Sequence, residues 1–204
     1  MQSITVNGQS ITPSKIVCIG RNYVAHIAEL GNEIPEEMVV FNKPNSAISD
    51  ILRSQMADQA LHFESELSFT IKNGELDAVG FGLDLTKRAL QSRLKEKGLP
   101  WERSKAFDGA ALFSEFVAIP EDINTLSLQL MVDEELRQTG GVELMMYKPD
   151  TILRDLKKFF TLEDGDIIMT GTPQGVGDIH TGQRFEGRVL AKNKEIVMAS
   201  WVAQ

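Results

Sequence analysis

Hydrophobic and polar residues alternate along LHFESELSFTI, residues 61 to 71, with the period of two that is typical of a β-strand. The predicted strand has an apolar face with Phe63, Leu67, Phe69 and Ile71, and a polar face with His62, Glu64, Glu66, Ser68 and Thr70. Glu64 and Glu66 therefore point the same way, with Cα atoms about 7 Å apart. Their carboxylates can share one ion, and otherwise they repel each other.

A second acidic strand is predicted beside the first. VGFGLDLT, residues 79 to 86, would run back after a turn at Asn73-Gly74, and it carries a third carboxylate, Asp84. The other predicted strands lie in SITVNGQSI (a hairpin about Asn7-Gly8), KIVCIG, MVVFNKPNSAI, LSLQLMVDEELRQTG (two strands), GDIIMTGTPQGVGD (one strand and a glycine-rich loop) and RFEGRVLAKNKEIVMASWV (a hairpin about Asn193).

Three segments have the spacing of helices, and the fold class follows from how few they are. The predicted helices are NYVAHIAEL closed by Gly31, LTKRALQSRLKEKG with Thr86 near its start and Gly98 as its stop, and PDTILRDLKKFF after Pro149. The segment 100–120 is predicted to be an ordered loop. Many short strands with three helices predict a mainly β or α+β fold. We expect residues 1–204 to form a single domain, in which residues 1–14 are a small N-terminal hairpin.

Composition narrows the setting in which the protein works. Cys18 is the only cysteine, so no internal disulfide can form, and a reducing, cytoplasmic compartment is expected. No apolar run approaches the ~20 residues needed to cross a bilayer. The formal net charge is −8 without a basic cluster, which argues against nucleic acid and anionic membranes as partners. An anionic substrate would have to be attracted by local cations.

The carboxylates of Glu64, Glu66 and Asp84 are the first candidates for a site. Three acidic oxygens without a cysteine partner suit a hard ion such as Mg²⁺ or Mn²⁺, with positions left open for water and substrate. The alternative is a solvated strand face that carries charges. Spacing alone leaves both interpretations open.

A possible acid–base pair lies on the first predicted helix. His26 and Glu29 are three residues apart and so share a face. A glutamate that accepts from one ring nitrogen leaves the other free to take a proton from water. The alternative is an ordinary surface pair.

Three further polar residues could touch a substrate. Lys105 could direct its ammonium at a carboxylate or a developing oxyanion. Gln91 could position a water or a carbonyl, and Arg21 could pair with a substrate carboxylate. Each could equally be a solvated surface residue or an ordinary helix residue.

The loop TGTPQGVGD, residues 170 to 178, has glycines that would let backbone N–H groups approach an anion. It lacks the Lys-Ser/Thr of a P-loop and does not open a helix, so a structural turn is its alternative. Cys18 in a buried strand makes a poor nucleophile, and no GxSxG elbow is present.

Taken together, these stretches resemble the fumarylacetoacetate hydrolase family, and the closest branch is that of the small single-domain enzymes. The resemblance implies a mixed β-roll like the family's C-terminal domain, with a few short helices, and it suggests a homodimer. The matching blocks, in chain order, are IVCIGRNYVAHIAELGN, VVFNKPNSAI, HFESEL, LDLTKRALQ, PWERSKAFDGA, LRQT and FTLEDGDIIMTGTPQGVG.

The resemblance also implies a role for each candidate residue. Glu64, Glu66 and Asp84 would bind Mg²⁺ or Mn²⁺, and His26 and Glu29 would form a dyad on a lid that orders over the substrate. The remaining implied residues are Lys105 and Gln91 at the reacting carbonyl, with Arg21, Gly171 and Thr172 as substrate-binding residues.

Two stretches depart from the family pattern. Relatives usually have a longer excursion between the second glutamate and the aspartate, whereas IKNGELDAVGFG is a compact hairpin. Ala89 stands where relatives usually carry an aspartate, which leaves Arg88 without its expected neighbour. The departures affect the placement of Asp84 and the rigidity of the corner around Arg88.

The implied chemistry is that of a divalent-metal-dependent enzyme acting on short 2,4-dioxo or β-oxo acids. A metal-stabilised enolate would be common to acylpyruvate-type C–C hydrolysis, oxaloacetate keto–enol tautomerisation and oxaloacetate decarboxylation. Hydrolysis is placed slightly ahead, because the His26/Glu29 pair could activate water. A non-catalytic binder of metal and dicarboxylate is an alternative of another class.

Overall fold

The structure, a computed structural model, describes residues 1–31 and 33–204. Strands dominate these residues, and the prediction of a mainly β or α+β fold is confirmed. Asn32, the last residue of the first family block, lies outside the described residues. The helices are α1 (Val24–Glu29), α2 (Arg88–Glu96), α3 (Glu102–Lys105) and α4 (Pro149–Leu156).

The strands are short, and most of them follow one another as hairpins. They are β1 (Ile4–Val6), β2 (Gln9–Ile11), β3 (Lys15–Gly20), β4 (Val39–Pro44), β5 (Gln55–Met56), β6 (Gln59–Ala60), β7 (His62–Phe63), β8 (Ser65–Lys72), β9 (Glu75–Asp84), β10 (Ala111–Phe113), β11 (Val117–Ala118), β12 (Leu126–Val132), β13 (Glu135–Gly141), β14 (Ile167–Met169), β15 (Gly177–Asp178), β16 (Arg184–Ala191) and β17 (Lys194–Val202).

Two larger sheets contain most of these strands. The central sheet is mixed, with the order β10-β9-β8-β14-β3-β4 and with β11 beside β9, and only β14 and β3 run parallel among the described pairs. The second sheet is antiparallel, in the order β13-β12-β16-β17. The acidic strands β8 and β9 form the predicted hairpin, and Asn73 and Gly74 have φ angles of 52° and 76°, as a two-residue type I′ turn requires.

The main core lies between the two sheets. Leu67 and Phe69 of β8 and Phe81 of β9 pack against residues of β12 and β16 such as Leu128 and Phe185. The sheets approach very closely at Gly187, where an added Cβ would lie 2.2 Å from a ring carbon of Phe81. This contact explains why the closing hairpin carries a glycine in mid-strand.

The other face of the central sheet is covered at one end by the N-terminal hairpin, β1 and β2. Ile4 and Val6 pack on Ile16, Cys18 and Met169. Glu66 of β8 belongs to this face, because alternate residues of a strand share a face. The polar face of the strand is thus buried rather than solvated, and its carboxylates have to be stabilised from within the protein.

The second helix begins later than its sequence predicts. Thr86 was expected near the helix start, but α2 begins at Arg88. Thr86 instead extends the strand pairing, because its N–H donates to the carbonyl of His62 at 3.0 Å and its carbonyl accepts from the N–H of His62 at 2.9 Å. The polar pattern of LTKR could not reveal this pairing with a residue 24 positions earlier.

The expectation that residues 100–120 form a loop is wrong. The segment contains α3, β10 and β11, so the described residues have four α-helices where three were predicted. Both strands pair with β9. They are two or three residues long, which is too short for an alternating pattern to show in sequence.

The fourth helix, α4, covers the face of the central sheet opposite the hairpin. Ile152 and Leu156 pack on Val17 and Ile168, and Pro149 begins the helix as predicted. Among the described residues, no helix combines the length and the apolar character needed to cross a membrane.

Candidate metal centre and active site

Three carboxylates meet where the two acidic strands end. Glu64 lies between β7 and β8, Glu66 lies on β8, and Asp84 is the last residue of β9. The N–H of Asp84 donates to the carbonyl of Glu64 at 2.8 Å, which holds the strand ends in register. One oxygen from each of the three side chains lies within 4.8 Å of the others, and all three residues are buried. The compact hairpin therefore does not separate Asp84 from the two glutamates.

Three cations are packed around this triad, namely Lys43, Lys105 and Arg88. Lys105 is buried, and its ammonium donates to Glu64 at 2.8 Å and to Asp84 and Thr86 at 2.7 Å each. Lys43 is fully buried, and its ammonium lies 2.7 Å from the other oxygen of Asp84. Lys105 is thus the last residue of a short helix rather than a loop lysine, and its alternative interpretation as a solvated residue is wrong.

Arg88 has partners in this structure. Its guanidinium forms an ion pair with Glu64 and donates to the side-chain oxygen of Gln91 at 2.7 Å. Arg88 thus lacks the aspartate expected at position 89, and Glu64 and Gln91 are its partners instead. One turn of α2 places Arg88 and Gln91 on the same side of the helix, and both line the cleft described below.

The carboxylates differ in their electrostatic surroundings. Burial would raise the pKa of Glu64, but Lys105 and Arg88 hold it well below its usual range. Burial, Asp84 and Glu64 together raise the pKa of Glu66 well above its usual range. Burial would lower the pKa of the Lys105 ammonium, but Asp84 and Glu64 raise it. Two members of the triad are thus matched by protein cations, and Glu66 is not.

Glu66 is held by the backbone of the glycine-rich loop. The N–H of Gly171 donates to its carboxylate at 2.7 Å, and among residues 1–31 and 33–204 no basic side chain forms an ion pair with it. A buried carboxylate beside two others requires additional positive charge. Three hard oxygen donors without sulfur are the ligands that Mg²⁺ and Mn²⁺ prefer. The side chains therefore fit a divalent cation.

The predicted dyad forms above the triad. Nδ1 of His26 lies 3.0 Å from one carboxylate oxygen of Glu29, and both residues lie on α1. The other oxygen of Glu29 accepts from the N–H of Gly175 at 2.9 Å. Because Nδ1 is engaged, Nε2 is the nitrogen left for the cleft, which His26 lines.

A small cleft of about 40 Å³ connects the dyad and the triad. That is room for about three water molecules, and His26 and Ile27 of α1 form part of the wall. Arg21 and Thr172 line the cleft. Gly171 does not line it, but its N–H donates to Glu66, which does. The other lining residues are Ile19, Gly20, Ile27, Leu30, Phe41, Arg88, Gln91, Lys95, Trp101 and Lys105.

The structure thus brings nearly all predicted site residues into one place, and their individual roles stay predictions. Lys43 and Gln138 are buried at the site but were not singled out from sequence. The strand VVFNKP gives no clear signal for Lys43, because Asn42 and Pro44 flank it and a lysine there is usually exposed. For Gln138, nothing in LRQTG separates it from an ordinary strand residue.

Comparison with known proteins agrees with this geometry. Residues 15–201 match the model of the fumarylacetoacetate (FAA) hydrolase C-terminal family. The chain belongs to this family, whose members include hydrolases and isomerases.

Two proteins with similar sequences are named as oxaloacetate tautomerases. The chain is 38% identical over 199 residues to the oxaloacetate tautomerase YcgM of Escherichia coli (strain K12), covering 87% of this chain and 90% of that protein. It is 39% identical over 201 residues to the mitochondrial oxaloacetate tautomerase FAHD2 of Oryza sativa subsp. japonica, covering 86% of each.

A solved structure with a similar fold contains a metal. It is the fumarylpyruvate hydrolase from Pseudomonas aeruginosa in complex with Mn²⁺ and pyruvate, with a TM-score of 0.86 and 29% sequence identity over 100% of this chain and 96% of that chain. The combination supports a divalent-metal site in this family and does not distinguish Mg²⁺ from Mn²⁺.

Proposed function

We propose that the protein is a divalent-metal-dependent keto–enol tautomerase of oxaloacetate. The observation that carries the proposal is a buried triad of carboxylates facing a His26–Glu29 pair across a small cleft rich in cations. The oxaloacetate tautomerases at 38% and 39% identity support this choice. The sequence alone placed acylpyruvate hydrolysis slightly ahead, and the relatives shift the balance toward tautomerisation.

Glu64, Glu66 and Asp84 would hold the metal, for which we propose Mg²⁺ or Mn²⁺. A divalent ion bound there would withdraw electron density from the 2-keto oxygen of the substrate and so make its C3 protons more acidic. Lys43 and Lys105 hold Asp84 and Glu64 in place through ion pairs. Gly171 positions Glu66 through its N–H.

The proton transfer is assigned to the dyad. In the keto-to-enol direction one proton leaves C3, one is gained at the 2-oxygen, and the double bond moves from C2–O to C2–C3, so no C–C bond is broken. Nε2 of His26 would take or return the C3 proton, while Glu29 holds Nδ1 in the protonated form. Gln91, which lines the same cleft, is the proposed donor toward the substrate oxygen. Lys105 would join it by exchanging its bond to the Thr86 hydroxyl for one to the substrate, because its three N–H groups are otherwise engaged.

The charge of the cleft favours a dicarboxylic substrate. Five basic side chains lie in or directly behind it, against four carboxylates when Glu29 is counted with the triad. A divalent ion adds two further positive charges, so the loaded site attracts a dianion although the whole chain carries −8. The basic residues are Arg21, Lys43, Arg88, Lys95 and Lys105.

The size of the cleft favours a short substrate. A cleft of about 40 Å³ has to widen to admit any substrate, and a short acid requires the smaller change. Trp101 and Phe41 close one side, and their rings are packed against each other with centroids 5.9 Å apart. A four-carbon acid fits this description better than a long acyl chain.

Acylpyruvate hydrolysis is the second candidate, because the dyad that moves a proton at C3 could also activate water. The Pseudomonas aeruginosa structure with Mn²⁺ and pyruvate supports it. In that reaction water adds to the second carbonyl, the C–C bond breaks and pyruvate leaves as its enolate. Decarboxylation of oxaloacetate would instead release CO₂ from the same substrate.

One set of assays separates these candidates. Purified protein is mixed with Mg²⁺ or Mn²⁺ and with enol-oxaloacetate or acetylpyruvate, and the enol absorbance, pyruvate and CO₂ are followed. We expect metal-dependent loss of enol without pyruvate, abolished by a chelator. Cleavage of acetylpyruvate without enol loss would refute the tautomerase, and metal binding without any turnover would favour the non-catalytic binder.

A matched pair of variants tests the dyad in the same assay. His26→Ala should remove turnover and leave Mn²⁺ binding intact, because His26 lies outside the triad. His180→Ala is the control, since His180 is exposed. Equal loss in both variants would show that the effect does not come from the cleft.

We also propose that residues 1–204 act as one catalytic domain in a cytoplasmic homodimer, with a small 2-oxo acid as the partner molecule. Cys18 is buried and unpaired, which suits a reducing compartment. The exposed Met198 and Val202 on the outer strand β17 are compatible with a subunit interface. Light scattering would measure the mass in solution, and a monomer at micromolar concentration would refute the dimer.

A further inference from the structure

The side chain of Gln138, on β13, forms hydrogen bonds both to the start of the acidic strand β8 and to the glycine-rich loop. Its side-chain oxygen accepts from the N–H of Ser65 at 2.9 Å. Its amide nitrogen donates to the hydroxyl of Thr172 at 2.8 Å and to the carbonyl of Pro173 at 2.7 Å. The residue is only 1% exposed, so these bonds do not compete with water.

These bonds complete a closed ring around one carboxylate. Ser65 directly precedes Glu66, and the carboxylate of Glu66 accepts from the N–H of Gly171 at 2.7 Å. Gly171 directly precedes Thr172, which returns to Gln138. The N–H of Thr170 already joins the start of the loop to the carbonyl of Leu67 on the acidic strand at 3.2 Å. The side chain of Gln138 adds a second connection on the other side of Glu66.

The loop held by this ring also holds the dyad. Gly175 has φ of +99°, and an added Cβ would lie 2.0 Å from the carbonyl oxygen of Arg137, the neighbour of Gln138. The N–H of the same Gly175 donates to Glu29 at 2.9 Å. A shift of the loop away from β13 would thus move both the support of Glu66 and the support of Glu29.

We propose that Gln138 is a positioning residue that sets the separation between the carboxylate of Glu66 and the hydroxyl of Thr172. Only a carboxamide offers an acceptor and two donors in one plane, as the contacts to Ser65 and to the loop demand. The expected effect on metal affinity depends only on the position of the Glu66 carboxylate. The expected effect on substrate affinity rests on the proposed function, in which Thr172 contacts the substrate carboxylate.

The test uses Gln138→Met, which keeps the length of the side chain and loses its hydrogen bonds. We expect Mn²⁺ affinity, measured by calorimetry, to fall by about 10-fold or more, as is typical when a residue that orients a ligand is lost. KM for enol-oxaloacetate should rise more than kcat falls, because the reacting groups themselves are retained. Gln129→Met, a half-buried glutamine on the adjacent strand β12, is the matched control and should change neither quantity.

A double-mutant cycle with Thr172→Val separates positioning from a general loss of stability. If Gln138 acts on the substrate through Thr172, adding Gln138→Met to Thr172→Val should raise KM little further. Independent, multiplicative effects on KM would overturn the proposal. So would a Gln138→Met protein with a lower melting temperature but unchanged Mn²⁺ affinity and KM.

Two provisions keep the outcome decisive. If Gln138→Met does not fold, Gln138→Asn keeps an amide on an arm too short to reach both partners, and the same fall in Mn²⁺ affinity is expected. If the wild-type protein shows no tautomerase activity, the proposed function fails, whereas the Mn²⁺ titration still decides the role of Gln138.

Discussion

Replacing Glu66 by Gln should make the protein more stable without metal and less stable with it. Among the described residues, Glu66 is the member of the triad without a basic ion-pair partner, and its oxygen lies within 4.8 Å of those of Glu64 and Asp84. At an effective dielectric constant of about 20, each such pair of charges repels by about 3 kcal/mol. Lys105 and Lys43 offset part of this repulsion, and so does protonation of Glu66, because burial, Asp84 and Glu64 raise its pKa. We therefore expect a net gain of about 1 to 3 kcal/mol for the metal-free variant.

The metal should reverse that order. Saturation of the wild-type protein at about 100 times Kd adds about 2.7 kcal/mol, or roughly 5 to 11 °C in melting temperature for a chain of this size. Glu66→Gln loses a charged ligand, and its melting temperature should move little with Mg²⁺. The side chain keeps an oxygen for the N–H of Gly171, so the loop itself is not released.

Thermal melts with and without Mg²⁺ or Mn²⁺ are the assay, with Glu29→Gln as control. Glu29 lies at the cleft but outside the triad, so Glu29→Gln should keep the full metal-dependent shift. The reasoning is refuted if Glu66→Gln responds to metal like the wild-type protein. It is also refuted if the metal-free variant is clearly less stable than the metal-free wild-type protein.

Three further outcomes are expected. Glu29→Gln should lower kcat about 100-fold at unchanged Mn²⁺ affinity, because an amide donates to Nδ1 of His26 and imposes the wrong tautomer. Steady-state kinetics measures kcat and calorimetry measures the affinity, and an unchanged kcat would exclude the dyad. Asp166→Ala should cost about 3 to 5 kcal/mol in denaturant unfolding, because buried Asp166 accepts from Ser14 at 2.7 Å and forms an ion pair with Lys15. Asp166→Asn keeps one acceptor and should cost less, and equal losses would show that the retained acceptor contributes nothing. Burial would raise the pKa of Asp166, but the hydrogen bonds from Lys15 and Ser14 lower it. The stability that the Asp166 carboxylate contributes is therefore present above about pH 4 and is lost as the pH falls through the lowered pKa. The difference in stability between the wild-type protein and Asp166→Asn should disappear at that low pH, and a difference independent of pH would contradict this.

Local patterns were sufficient to predict the strands that carry the chemistry. Glu64 and Glu66 share a face because a strand has a period of two, and the Asn73-Gly74 turn fixes how β9 returns. Together these features bring Asp84 to the level of Glu64. The dyad was equally local, because His26 and Glu29 are separated by less than one helical turn.

The failures lie where distant segments decide the structure. Thr86 has a sequence typical of a helix start, but pairing with His62 keeps it extended. β10 and β11 exist only because β9 offers them an edge. Gln138 is a functional candidate only once Ser65 and Thr172 are seen on either side of it, 73 and 34 residues away in the chain. No single-sequence pattern carries such separations.

The arrangement of charge at the site explains why its chemistry could be argued from so few residues. Burying Glu64 and Asp84 would be prohibitive without their cations, Lys43, Lys105 and Arg88. Both lysines also have a partner outside the triad, because Lys105 donates to the Thr86 hydroxyl and Lys43 donates to the carbonyl of Lys105. All three cations pair with Glu64 or Asp84, so Glu66 is left as a buried carboxylate that a mobile ion could bind. The buried carboxylate without an ion-pair partner in the described part of the chain is therefore the feature that favours a metal centre over a structural ion-pair network.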